Sequence, residues 1–123
     1  VYYGLQKDVT PFYRRCSCFL YPSYYPEGMS NVLLEAAASG RPVIAADRAG
    51  CRETLDDGVT GFLVPVNDEK AVIEAVEKFL QMSSEERKAM GLRGSEKIRR
   101  EFDRRLVVEA YWEEIKEIMR GRV

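Results

Sequence analysis

The chain has 123 residues, which suits one domain with one hydrophobic core. Its 19 Lys and Arg are balanced by 20 Asp and Glu, so it has no basic excess to meet a nucleic acid; no apolar run is long enough to span a bilayer, and the first residues do not read as a signal peptide. There is no histidine, which removes the commonest general base and the commonest neutral metal ligand. The cysteines, Cys16, Cys18 and Cys51, are odd in number and lack zinc spacing. They read as buried, reduced thiols of a cytoplasmic protein.

Val1-Tyr2-Tyr3 reads as a short strand ending at Gly4. Asp8 can cap a short helix through Phe12, Tyr13 and Arg15. Ser17-Cys18-Phe19-Leu20-Tyr21, stopped by Pro22, suits a parallel strand buried on both faces. Residues 30–39 are rich in Leu and Ala, and Gly40 follows as a stop. Val43-Ile44-Ala45-Ala46 is a second buried strand, residues 51–57 a short helix, and Gly61-Phe62-Leu63-Val64 a last strand. Val72, Ala75, Val76, Phe79 and Leu80 make one helical stripe, with Asn67 or Asp68 as its cap. Ser83 and Glu86 have capping-box spacing, and Gly91 and Gly94 are candidate break points in the helix they open. Leu106, Ala110, Tyr111, Ile115, Ile118 and Met119 mark a final amphipathic helix, with Tyr111 and Trp112 expected to pack against this domain or an absent one.

This order predicts an α/β fold: a Rossmann-like parallel sheet of about four strands with helices on both faces, in a single domain over 1–123. Ligands of such sheets bind where strands pass into helices. One junction of that kind reads Pro26-Glu27-Gly28-Met29-Ser30-Asn31-Val32-Leu33-Leu34-Glu35. Gly28 permits a tight turn, Ser30 or Asn31 can cap the helix, and the helix start is a general anion site. Eight helical residues span about 12 Å with an angular offset of about 80°, so Glu27 and Glu35 can border one groove. That span matches a diphosphate with a sugar on each side. The alternative stays open: Glu27 as a favourable acid before a helix start, and Glu35 as an exposed helical residue.

The stretch Glu27–Glu35 resembles the E-x7-E motif of the retaining GT-B glycosyltransferases of family GT4 (glycosyl transferases group 1). Ala36 to Ala45, Gly50-Cys51-Arg52-Glu53-Thr54, and Asp57-Gly58-Val59-Thr60-Gly61-Phe62-Leu63-Val64 are similar to the family's continuation, as are Val1-Tyr2-Tyr3-Gly4 and Tyr21-Pro22-Ser23. The resemblance implies most of the nucleotide-sugar-binding C-terminal domain of a two-domain enzyme, with the N-terminal acceptor domain absent. It places Glu27 at the donor sugar as the catalytic residue, steadying the positive ring rather than attacking it. Gly28, Met29, Ser30, Asn31 and Val32 would line the sugar and diphosphate, Glu35 would hold the ribose, and Leu5 and Gln6 would lie near the base. The resemblance implies a UDP-sugar donor without a metal, and a glycan or lipid-linked acceptor in polysaccharide biosynthesis. It also implies a cytoplasmic enzyme, with a peripheral membrane position left open. The family's upstream Arg and Lys pair has no match here, and Ser30-Asn31 replaces its common Phe-Gly pair. This piece alone is expected to be inactive.

Other readings fit less well. There is no G-x-G-x-x-G for a dinucleotide and no G-x-x-x-x-G-K-[ST] for a nucleoside triphosphate. Asp47 is a lone acid where a phospho-receiver domain clusters several. The non-enzyme alternative is a Rossmann-like interaction module working through the last two helices. Arg99-Arg100-Glu101-Phe102-Asp103-Arg104-Arg105 reads as a solvated face, because acids interleave with its bases.

Overall fold

The structure is a computed structural model that describes residues 1–25 and 28–121. Helix α1 (Thr10–Arg15) precedes strand β1 (Phe19–Tyr21), helix α2 (Asn31–Ala38) and strand β2 (Val43–Ala46). A 3-10 turn (Arg52–Thr54), strand β3 (Gly61–Val64) and helices α3 (Glu69–Gln81), α4 (Ser84–Phe102) and α5 (Arg104–Met119) follow. The strands form one parallel sheet in the order β1-β2-β3, with Leu20, Ile44 and Phe62 in register across it.

β2 lies in the middle and every residue of it is buried. Successive side chains of a strand point to opposite faces, and both faces here are covered. Val43 and Ala45 join Leu33, Ala36 and Ala37 of α2 and Ile98 of α4. Ile44 joins Val64 of β3 and Ala75 and Phe79 of α3. The sheet therefore carries helices on both faces, as the alternation of apolar runs predicts.

Two expectations are corrected. Among the described residues the sheet has three strands rather than about four, because Val1-Tyr2-Tyr3 is not a strand. A strand needs a neighbour for its backbone groups, and residues 1–6 have none among the described residues; the Gln6 side-chain amide donates to the Tyr3 carbonyl instead, at 2.7 Å. Nor does α4 break at its glycines. Gly91 is buried against the turn that ends α2: a Cβ added there would collide with the Gly40 carbonyl oxygen and lie 2.8 Å from its carbon. Gly40 itself takes φ +76°, closing α2 with bonds from its own N–H to the Ala37 carbonyl (2.9 Å) and from the Arg41 N–H to that of Ala36 (3.1 Å). Gly61 serves similarly between strands, since a Cβ there would strike the Val43 carbonyl.

The helix caps follow the sequence. Asp68 accepts from the Ala71 N–H at 2.9 Å, and Ser83 and Glu86 complete a reciprocal capping box. Buried Lys97 of α4 meets Asp56 before β3 at 3.2 Å and Glu101 at 2.8 Å, tying α4 to the sheet. Burial works against its charge, but these two carboxylates outweigh it and raise the ammonium above its ordinary value. α5 buries none of its residues; Tyr111 and Trp112, expected to pack, are exposed here. Among the described residues no helix is long and apolar enough to cross a membrane.

Candidate functional site

The three strands end at one edge of the sheet, and the connection after β1 delivers α2 there. Ser30, the N-cap of α2, is only 3% exposed. Its N–H donates to the Gly50 carbonyl at 2.9 Å, which stitches the connection after β1 to the one after β2. Its hydroxyl does not make the usual bond to the first turn, and Oγ is enclosed with no partner among the described residues. Enclosed polar atoms are rarely left so. The N–H groups of Asn31, Val32 and Leu33 have no intrahelical acceptor, and the helix dipole adds positive potential. Amides left open at a helix start are a general anion site.

The surrounding loops are clasped. Arg48, 8% exposed, donates from Nε to the Ser23 carbonyl and from Nη1 to the Ala49 carbonyl, each at 2.9 Å. Glu53 accepts from the Gly50 N–H at 2.8 Å. Asp47 pairs with Arg52 at 2.9 Å. Arg48 was missed from sequence, since an arginine after an aspartate in a loop reads as solvated; only its burial reveals the strut.

Glu35 sits one turn beyond the helix start, exposed, and accepts the Tyr13 hydroxyl at 3.1 Å. Tyr13 is buried on α1 and is the residue that orients Glu35; no short-range signal links positions so far apart in sequence. Glu35 lines a cavity of about 430 Å³ with Lys7, Asp8, Thr10 and Tyr13. Leu5 and Gln6 line a neighbouring one of about 370 Å³ with Tyr3 and Phe12, and Val9 belongs to both. Val32 lines a third, apolar cavity with Phe12 and Phe19, and its side chain is partly exposed. Gly28, Met29 and Asn31 are exposed at the helix start. Glu27 lies outside the described residues. The structure thus brings Val32, Glu35 and the Leu5–Gln6 loop to neighbouring recesses. Tyr24 and Tyr25, on the connection after β1, stack on each other with ring centroids 4.6 Å apart and stay exposed. Among the described residues no group of three or more His, Cys, Asp or Glu could hold a metal ion.

Burial first, then the Glu35 carboxylate, push the Tyr13 phenol up to about 12. A raised folded-state value favours the neutral phenol. Its contribution to stability is therefore intact below about pH 10 and lost as the pH climbs through about 12. Tyr13→Phe is expected to remove the late-titrating component of phenolate absorbance and to cost about 1 kcal/mol, the worth of one hydrogen bond. An unchanged absorbance titration would place that phenol in water.

The sequence profile described as "Glycosyl transferases group 1" matches residues 1–82. The chain is 33% identical over 108 residues to the capsular polysaccharide biosynthesis glycosyltransferase CapM of Staphylococcus aureus, covering 88% of this chain and 27% of that protein. The sucrose-phosphate synthase structure from Thermosynechococcus elongatus superposes with a TM-score of 0.81 at 26% identity, over 92% of this chain and 28% of that one. Anabaena HepE, solved with UDP and glucose, gives 0.85 at 20% identity over 95% of this chain and 32% of that one, a likeness of fold. The chain thus spans less than a third of the length of each of these proteins. With the profile covering two thirds of its residues, and a parallel sheet that superposes on members of this fold, the chain belongs to the glycosyl transferases group 1 family.

Proposed function

We propose that this chain is the donor-binding part of a retaining glycosyltransferase of the GT4 type, one that moves a sugar from a nucleotide diphosphate sugar to a glycan or lipid-linked acceptor. The observation that carries the reading is the start of α2: an enclosed, unpartnered Ser30 hydroxyl beside open backbone amides, with Glu35 one turn on at the mouth of a recess. In this reading the diphosphate lies on the amides of residues 28–32. Glu35 accepts the ribose hydroxyls, and the base rests near Leu5 and Gln6. Negative charge grows on the leaving diphosphate as the sugar bond breaks, so fixed N–H groups and the helix dipole stabilise the transition state more than the ground state. The role of Glu27 in this reading is to bind the sugar hydroxyls and steady the positive ring. The acceptor, the basic pair that shares the diphosphate and the acceptor domain belong to the whole protein, which we place in the cytoplasm. The UDP in the HepE structure and the role of CapM in capsular polysaccharide biosynthesis favour a UDP-sugar and a polysaccharide product.

Amide NMR during titration with UDP-, GDP- and ADP-sugars tests this. Saturable shifts at residues 3–9 and 28–35, strongest with the UDP-sugar, are expected. Shifts confined to α4 and α5, or none that saturate, would favour the interaction-module reading and defeat the proposal.

A further inference from the structure

At the opposite edge of the sheet, where β1 and β2 begin, lies a recess of about 530 Å³. Its cations are Arg41, from the turn after α2, and Arg87 and Lys88, from the second turn of α4. Ser17, Ser84 and Ser95 add hydroxyls, and none of the lining residues is acidic. Three positive side chains around one hollow are out of keeping with a chain whose net charge is −1. Two of the three are held in place. Arg87 donates to the carbonyls of Phe79 (3.1 Å) and Leu80 (2.7 Å) and lies over the Phe79 ring at 4.7 Å. Arg41 donates from Nη2 to the Arg14 carbonyl at 3.0 Å. Yet its Nε is enclosed with no partner among the described residues. An enclosed guanidinium N–H without an acceptor is costly, and the Arg41 side chain lines the recess. The Lys88 ammonium is likewise unpartnered among the described residues.

We infer that this recess binds a phosphate group, at a site separate from the donor site across the sheet. Two sources share that chemistry: a soluble phosphorylated small molecule and the headgroup of an anionic lipid. Arginine supplies planar forked donors, Lys88 a mobile charge, and Ser17 and Ser84 neutral donors to the remaining oxygens.

The test is an amide NMR titration of the protein with inorganic phosphate and no nucleotide. Saturable shifts at residues 39–41 and 84–88 are expected. Lys88→Gln, at an exposed position without a partner, should keep the fold and weaken phosphate about tenfold, the worth of one charge-assisted hydrogen bond. Lys70→Gln, on α3 and outside the lining, should leave it unchanged. Flotation with vesicles of phosphatidylcholine and phosphatidylglycerol distinguishes the sources. Binding that phosphate competes away and Lys88→Gln weakens assigns a lipid headgroup; phosphate binding without vesicle binding assigns a soluble ligand. Shifts that never saturate, that scatter over the surface, or that respond equally to the Lys88 and Lys70 changes would overturn the inference. Resonances of residues 28–35 in the same spectra report on the donor-site reading separately.

Discussion

Gly91→Ala is expected to destabilise the protein by on the order of 3 kcal/mol, a large fraction of what holds a domain of this size. The reason is local. α4 crosses the C-terminal turn of α2 so closely that an added Cβ would collide with the Gly40 carbonyl oxygen, 2.8 Å from its carbon and 3.3 Å from the Pro42 ring. Backbone stands on the other side of that contact, and Gly40 is itself locked at φ +76° by the bonds that end α2, so neither partner can give way cheaply. Gly94, one turn on along the same helix, supplies the control. A Cβ there meets the Thr60 side chain at 3.6 Å and that of Ala37 at 3.9 Å, ordinary packing distances. Gly94→Ala should be neutral or should stabilise by up to about 1 kcal/mol through helix propensity. Urea denaturation of both variants decides the matter. Equal effects, in either direction, would show that α2 and α4 are not in this contact.

Glu35→Ala in the whole enzyme is expected to weaken nucleotide-sugar binding about tenfold to a hundredfold, with Glu35→Gln losing less. A carboxylate can accept two ribose hydroxyls at once, whereas the amide keeps one acceptor oxygen. The side chain is exposed on α2, so the fold loses only the bond from Tyr13, about 1 kcal/mol. Calorimetry with the donor, beside a thermal melt, separates the two effects. Equal affinities for the Ala and Gln variants would remove the ribose contact from the proposal. A melting point that falls by far more than one hydrogen bond allows would recast Glu35 as a structural residue.

Much of the fold is legible in the sequence because local physics and tertiary burial agree. Val43 to Ala46 is apolar throughout and lies between two layers of helices. Asp68 and Ser83 cap the helices their positions announce. The misreadings share one cause, which is that local preference yields to neighbours. Val1-Tyr2-Tyr3 has strand-forming residues but no adjacent strand among the described ones. Gly91 lowers intrinsic helicity, yet the contact it permits with the end of α2 outweighs that loss. At the candidate site, the motif and helix start stand out in the sequence. Tyr13 beneath Glu35 and Arg48 between the loops do not, because each acts on backbone or side chains brought near only by folding.

The three clasps at the ligand edge also bear on how fast a donor can arrive. Ser30 to Gly50 and Arg48 to Ser23 hold two loops together, and Glu53 to Gly50 braces the second of them from within. Little conformational search is left for the moment of capture, so the association rate should rise linearly with donor concentration, without the plateau of a slow isomerisation. Selectivity among donors would then be expressed mainly in how long each one stays.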